Sequence, residues 1–256
     1  MQIIKVNYQE IEPLRIDYIN SLPEFQELYL EWLVIDSEYY KLERNGELIG
    51  YAAKAPDNIL VEFFLVDTEI PHCPDYFKSI IRDLSIAKIY CKSFDYLLLN
   101  SCLMSYDRYK LIGSMFRDLV QKDSYFKNEF EIAIAEERDL PFLLEQQDGL
   151  YETQMELEKC IRDRNIILFF KDSYLIGCGF LIKVHEKWDY YDIGMWVNPD
   201  HRKQGYATQI ISYLKDTCLK NGWIPICGCA YENTASQKTL EKNGFISKHK
   251  LIEFEV

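Results

Sequence analysis

An apolar run ends at Val197, a polar turn follows at Asn198-Pro199-Asp200, and a new period then begins. Ala207, Ile210, Ile211, Leu214 and Cys218 fall at the i, i+3, i+4 spacing of a helix with one buried face, and Asn221-Gly222 supplies a stop. The pattern predicts a strand, a turn and a helix start. The first turn of that helix offers free backbone N–H groups from about Gln204, and Gly205 lets the main chain approach a ligand with no Cβ in the way. Arg202 and Lys203 reinforce the positive helix end, so a phosphate or pyrophosphate fits there. A tight strand-to-helix turn without a ligand fits the same residues. Downstream, Ile224 to Cys229 reads as a strand, and residues 231–245 as a loop and a helix with Thr234 and Gln237 in a capping box and Gly244 at its C′ position.

The earlier chain has its own order of elements. Ile3 to Val6 suggests a strand, Pro23 to Val34 a helix, and Tyr39 to Leu42 with Leu48 to Ala53 a hairpin around Arg44-Asn45-Gly46. Ile59 to Val66 reads as a strand, Tyr76 to Tyr90 as a helix, and Tyr96 to Asn100 as a buried strand. The same order recurs in the second half. Leu48-Ile49-Gly50 returns as Leu175-Ile176-Gly177, and at that offset of 127 residues Ser85, Lys88 and Cys91 meet Ser212, Lys215 and Cys218. The register sets Arg202 to Ala207 against Asp75 to Ile80, which holds no glycine and begins with an acid. The division expected is 1–124 and 125–256, with Lys122-Asp123-Ser124 as the linker.

Arg202-Lys203-Gln204-Gly205-Tyr206-Ala207 resembles the acetyl-CoA pyrophosphate motif Arg/Gln-x-x-Gly-x-Gly/Ala of the Gcn5-related N-acetyltransferases (GNAT). Asn233-x-Ala235-Ser236, with Gly244-Phe245 after the helix, resembles that family's second CoA motif. The stretch Asp192 to Pro199 is similar to its fourth strand. The resemblance implies an α/β fold of two acetyltransferase-like (GNAT) domains, each a mixed, mostly antiparallel twisted sheet flanked by helices. In that reading the first is a degenerate domain lacking the cofactor loop and the second binds acetyl-CoA. It also implies transfer of an acetyl group to the primary amine of a small molecule or peptide. Residues 202–208, from Arg202 through Gly205 and Tyr206 to Thr208, would hold the pyrophosphate end, and Met195, Val197, Asn233 and Ser236 the pantetheine and acyl end. The backbone N–H near Met195 would polarise the acetyl carbonyl.

Acyl transfer needs a base for the amine and an acid for the leaving thiolate. Asp192 is the candidate base, with Asp189 in reserve. Many family members carry a tyrosine acid four residues before the second motif's glycine; here that position is Leu240, which shifts attention to Ser236 or Tyr231. A polar strand face, a helix start and a loop position are the corresponding structural roles. Two other classes stay open: a non-catalytic acyl-CoA-binding or sensing protein, and a tandem relative using another acyl donor.

Composition narrows the setting. The formal charge of −12 argues against a general nucleic-acid binder, which relies on clustered Lys and Arg. Eight cysteines fall mostly in apolar patterns and read as buried thiols of a reducing, cytoplasmic compartment. Neither the cysteines nor the four histidines show metal-ligand spacing, so no metal is expected. No apolar run is long enough for a membrane span or follows Met1 as a secretory signal would. Oligomeric state is open.

Overall fold

A computed structural model describes residues 1–146, 151 and 153–256. The chain begins with β1 (Gln2–Val6), α1 (Tyr8–Ser21) and α2 (Leu28–Ile35). A hairpin of β2 (Glu38–Arg44) and β3 (Glu47–Ala55) follows, then β4 (Ile59–Leu65), α3 (Cys73–Asp83), β5 (Lys88–Lys92), α4 (Tyr96–Ser105), β6 (Tyr109–Phe116) and the short β7 (Asp118–Leu119). The order then repeats: β8 (Glu131–Ile134), α5 (Leu140–Glu145), α6 (Gln154–Arg162), the hairpin β9 (Ile166–Lys171) and β10 (Tyr174–Lys183), then β11 (Tyr190–Val197). The chain closes with α7 (Tyr206–Lys220), β12 (Ile224–Ala230), α8 (Thr234–Lys242), β13 (Phe245–Ile246) and β14 (His249–Glu255).

These elements form two compact units. The first holds residues 1–115, 230–232 and 247–256, and the second residues 116–229 and 233–246. The last strand of the chain therefore belongs to the first unit, where β14 lies antiparallel to both β5 and β6. In that unit β1 to β4 are antiparallel neighbours and β4 meets β5 in parallel. In the second unit β8 to β11 are antiparallel neighbours, β11 meets β12 in parallel, and β7 pairs with β13. Each is a mixed, mostly antiparallel sheet flanked by helices. The first core joins α3 to the inner face of β2 to β5, and the second joins α7 to β9 to β11.

The β2–β3 hairpin turns at Asn45 and Gly46 with φ of +54° and +82°, the left-handed pair that matches the twist of two antiparallel strands. The repeated Leu-Ile-Gly also has a physical cause. A Cβ on Gly50 would stand 2.1 Å from the carbonyl oxygen of Phe64, and one on Gly177 would stand 2.3 Å from that of Trp196. Both glycines let the next strand approach.

The register of 127 residues holds in those hairpins and fails beyond them. The connection from β10 to β11 is longer than the one from β3 to β4, so later elements are displaced. Ser85 lies in the turn after α3 and Lys88 and Cys91 in β5, whereas Ser212, Lys215 and Cys218 lie on α7. The segment that follows β4 is the 3-10 turn Asp67–His72, not residues 75–80; it too is acidic and has no glycine.

Three other expectations are corrected. Residues 96–100 open the helix α4, because the Asp95 carboxylate accepts the Leu98 N–H and nucleates it, and an apolar run alone does not separate helix from strand. The helix expected to reach Tyr90 ends at Asp83, and Ser85 turns left-handed before β5 begins. Residues 23–27 precede α2 rather than forming its start, while α1 occupies residues the hydrophobic pattern left unassigned. The face that α1 buries is Ile11, Arg15, Tyr18 and Ile19, polar at its centre, and Pro13 lies within the helix.

Residues 122–127 are strapped along α7. The Ser124 hydroxyl donates to Asp216 at 2.5 Å, the backbone N–H of Tyr125 donates to Ser212 Oγ at 2.9 Å, and that of Lys127 donates to Gln209 Oε1 at 3.0 Å. Gly244 sits beside this segment with φ of +97°, and a Cβ there would fall 2.2 Å from the Val120 carbonyl oxygen.

Two measurements check this packing. Gly46→Ala, at open space, costs about 1 kcal/mol from backbone strain, whereas Gly244→Ala costs about 3 kcal/mol or more because strain and overlap add; urea unfolding of both variants compares them. All eight cysteines are free thiols, and seven are buried. Burial pushes Cys160 up to about 11 and Cys218 up to about 12, so these stay protonated at neutral pH. Titration with a disulfide reagent at pH 8 should find about one thiol, Cys229, in the native protein, and all eight in denaturant.

Candidate active site

Parallel pairing of β11 and β12 covers Tyr190 with Ile224, Tyr191 with Pro225 and Asp192 with Ile226. Past that point β11 remains paired with β10 as far as Val197. Its other edge opens onto a cleft of about 650 Å³ lined by Met195, Trp196 and Val197, by the loop and first turn of α7, and by Asn233, Ala235, Ser236 and Thr239. A strand with one free edge can pair with an extended ligand through its backbone.

The loop after β11 is shaped locally. The Asn198 side chain accepts the N–H of Asp200, starting the 3-10 turn Pro199–His201, and Arg202 Nε donates back to the Val197 carbonyl at 3.0 Å. Lys203 and Gly205 both have positive φ, +62° and +86°, so the main chain reverses twice before α7 begins. Successive turns of this kind gather N–H groups into an anion-binding concavity, and the helix end adds its partial positive charge. No atom lies within 4 Å of where a Cβ on Gly205 would sit, so the space beside it is open cleft. The donor set suits a pyrophosphate: a backbone cradle, with Arg202 and Lys203 at the rim.

Of the residues predicted for the cofactor, Met195, Val197, Arg202, Lys203, Gly205, Tyr206, Ala207, Thr208, Asn233 and Ser236 all line this cleft. Gln204 is exposed and is not among the lining residues. Asn233, rather than Thr234, caps α8: its Oδ1 accepts the Ser236 N–H at 3.0 Å, leaving its amide hydrogens for another partner. Trp196 and the second motif's Ala235 line the cleft as well, as do His201 and Thr239, which went unpredicted. Thr239 was within reach of sequence reasoning, since it follows Ser236 by three residues on one helix face.

The catalytic candidates are placed less uniformly. Asp192 is half-buried at the last position of β11 that pairs with β12; Ile193 beside it faces the α7 core, so Asp192 faces the other side of the sheet. Asp189 is ion-paired with Lys183 at 3.2 Å and exposed. Tyr231 belongs to the first unit, is exposed, and has the Lys250 ammonium 5.9 Å from its ring centre. Leu240 is buried in the core with Phe245 and so packs rather than reacts. Lys242 lies over the ring of Tyr125 at 5.1 Å and is not among the residues that line the cleft. Among the described residues no cluster of three metal-ligating side chains occurs, and no helix is long and apolar enough to cross a membrane.

The fold and site define an acetyltransferase-type α/β protein, and comparison with known proteins agrees. The family described as "Acetyltransferase (GNAT) domain" matches residues 7–119, and the "Acetyltransferase (GNAT) family" matches residues 131–245. An uncharacterized N-acetyltransferase of Bacillus subtilis (strain 168), YjdG, is 37% identical over 93 residues, which span 35% of this chain and 55%, about half, of that relative. The solved structure of a GNAT-family acetyltransferase from Colwellia psychrerythraea covers 100% of this chain and 99% of its own, with a TM-score of 0.88 at 18% identity. A tandem GNAT protein from the clavulanic acid biosynthesis pathway covers 100% and 98%, with a TM-score of 0.62 at 9% identity. The chain belongs to the GNAT family and carries two GNAT domains in tandem.

Proposed function

We propose that the second unit transfers an acetyl group from acetyl-CoA to a primary amine of a small molecule or peptide, by direct attack with both substrates bound. The observation that carries this reading is left-handed Gly205, with open space beside it, at the start of α7 next to the free edge of β11. The α7 end and Arg202 hold the pyrophosphate, the edge of β11 at Met195 and Val197 pairs with the pantetheine amides, and Asn233 donates to the same arm. The Met195 N–H stabilises the oxygen that becomes negative as the amine adds to the carbonyl. Asp192, directly or through a water, takes the proton that the amine loses, and Ser236 returns one to the departing sulfur. Nitrogen thus gains the acetyl group and loses a proton, while the C–S bond breaks to a thiol.

The reaction requires no metal. A chain of net charge −12 with local cations at one loop suits a polyanionic cosubstrate and a cationic acceptor in the cytoplasm better than nucleic acid or an anionic membrane. A second reading, an acyl-CoA-binding protein without turnover, draws on buried Leu240 and on exposed Gly228, where some relatives carry an acidic base. Turnover of any amine excludes it.

Calorimetric titration with acetyl-CoA should show one site of micromolar Kd, about 8 kcal/mol of binding free energy. Gly205→Glu fills the cradle and repels the phosphates, so binding is lost while circular dichroism and cooperative melting persist; normal affinity in that variant would sink the assignment. Asp192→Asn should leave acetyl-CoA affinity unchanged and lower kcat/KM by about 100-fold or more at neutral pH. A change under about threefold removes Asp192 from the base role.

A further inference from the structure

In the first unit, too, a pair of parallel strands parts, and charged residues past the parting point are buried. Parallel pairing of β4 and β5 covers only Ile59 with Lys88 and Leu60 with Ile89, after which the strands part. Gly50 pairs with Leu65 as Gly177 pairs with Val197, and this register places Glu62 where the second unit has Gly194. Glu62 on β4 and Lys92 on β5, both past the last paired residues, are 0% exposed.

The group that meets Glu62 is a guanidinium. Arg15 of α1 donates from Nε to Glu62 Oε2 and from Nη2 to Glu62 Oε1, each at 3.0 Å, and from Nη2 to Glu31 Oε1 at 2.7 Å. The walls of this place are themselves fixed. Tyr51 donates its hydroxyl to Glu62 at 2.8 Å, and the Gln26 amide donates to Glu31 at 2.8 Å and to Glu62 at 3.1 Å. Lys92 then donates to Gln26 Oε1 and to the Tyr18 hydroxyl, each at 2.6 Å, and Tyr18 donates to Asp95 at 2.5 Å. Burial opposes the charge on Arg15, but Glu62 and Glu31 outweigh it and hold the guanidinium well above its ordinary pKa. Burial raises Asp95 in the opposite sense, so it keeps its proton more readily. Two cations, Arg15 and Lys92, thus lie among three carboxyl groups, Glu31, Glu62 and Asp95.

A buried ion network is no more stabilising than a well-packed apolar core of the same volume, so stability alone does not account for it. Its form is that of a receptor: two carboxylates from α2 and β4, held in place by a phenol and an amide that donate to them, converge on one planar cation. We infer that the first unit carries a guanidinium-binding pocket walled by β4 and α2, and that the chain's own Arg15 is its permanent occupant. The pocket's ligand class is an alkylguanidinium. This inference stands apart from acyl transfer in the second unit.

The test removes the occupant and supplies it again. Arg15→Ala leaves Glu31 and Glu62 facing an empty space, and the melting temperature should fall by roughly 10 °C. Ethylguanidinium at about 10 mM should restore about 3 to 6 °C of that loss, while equal ethylammonium or sodium chloride should not. Wild type should not respond to ethylguanidinium, and neither should Arg15→Ala combined with Glu62→Gln. If Arg15→Ala is insoluble, it is refolded with ethylguanidinium or ethylammonium, and recovery with the first alone supports the pocket. Equal effects of the two cations, no rescue at all, or a melting temperature unchanged by Arg15→Ala each overturn it.

Discussion

Parallel pairing between β11 and β12 lasts for three residue pairs, and the proposed working surface follows from where it stops. While the strands are paired, their backbone groups satisfy each other; past Asp192 one edge of β11 must find another partner or meet solvent. The chain then places two left-handed residues and a helix start beside that edge. An unpaired acceptor-and-donor edge and a cluster of free N–H groups thus lie in one cleft, which suits a ligand with amides along its length and phosphates at one end.

The helix that supplies those N–H groups is held from its side by polar contacts as well as by its apolar face. Gln209, Ser212 and Lys215 are buried, recur along α7 at three-residue intervals, and meet residues 122–129. Gln209 also donates to Glu129, which accepts from Lys171, and the Lys171 ammonium lies over the ring of Tyr206 at the cleft. The start of α7 is therefore fixed at several points. A preorganised anion site requires this, because a helix end that moves loses the geometry of its N–H groups and with it the binding.

What the sequence made legible divides along physical lines. The β2–β3 hairpin, the strand before the loop, α7 and α8 were readable because turn residues and apolar spacing agree there. Nearly all the proposed cofactor residues line one cleft for the same reason: Gly205 and Asn233 do local backbone work that leaves a local signal. α1 was not readable, since its buried face has Arg15 and Tyr18 where a hydrophobic period needs aliphatic residues. α4 was misread because its apolar run carries no period and its start depends on the Asp95 side chain. The repeat register drifted because loop length, which no periodicity records, decides how far apart equivalent strands fall.

The two units show that the gap between parted parallel strands does not by itself make a site. After β4 the chain continues with Asp67, Glu69 and Pro71 in a 3-10 turn with no glycine, so neither charge nor backbone there favours a phosphate. Glu62 at the gap calls for a cation, and α1 provides one within the same unit. In the second unit the equivalent strand position is Gly194, whose Cβ would meet only Phe180 at ordinary contact distance, 3.7 Å. A carboxylate at that position needs a buried partner before it is stable; a glycine leaves the edge to whatever ligand arrives. The choice between a closed lattice and an open cleft thus rests on what side chain stands at the gap and what loop follows the strand, on backbones that are otherwise alike.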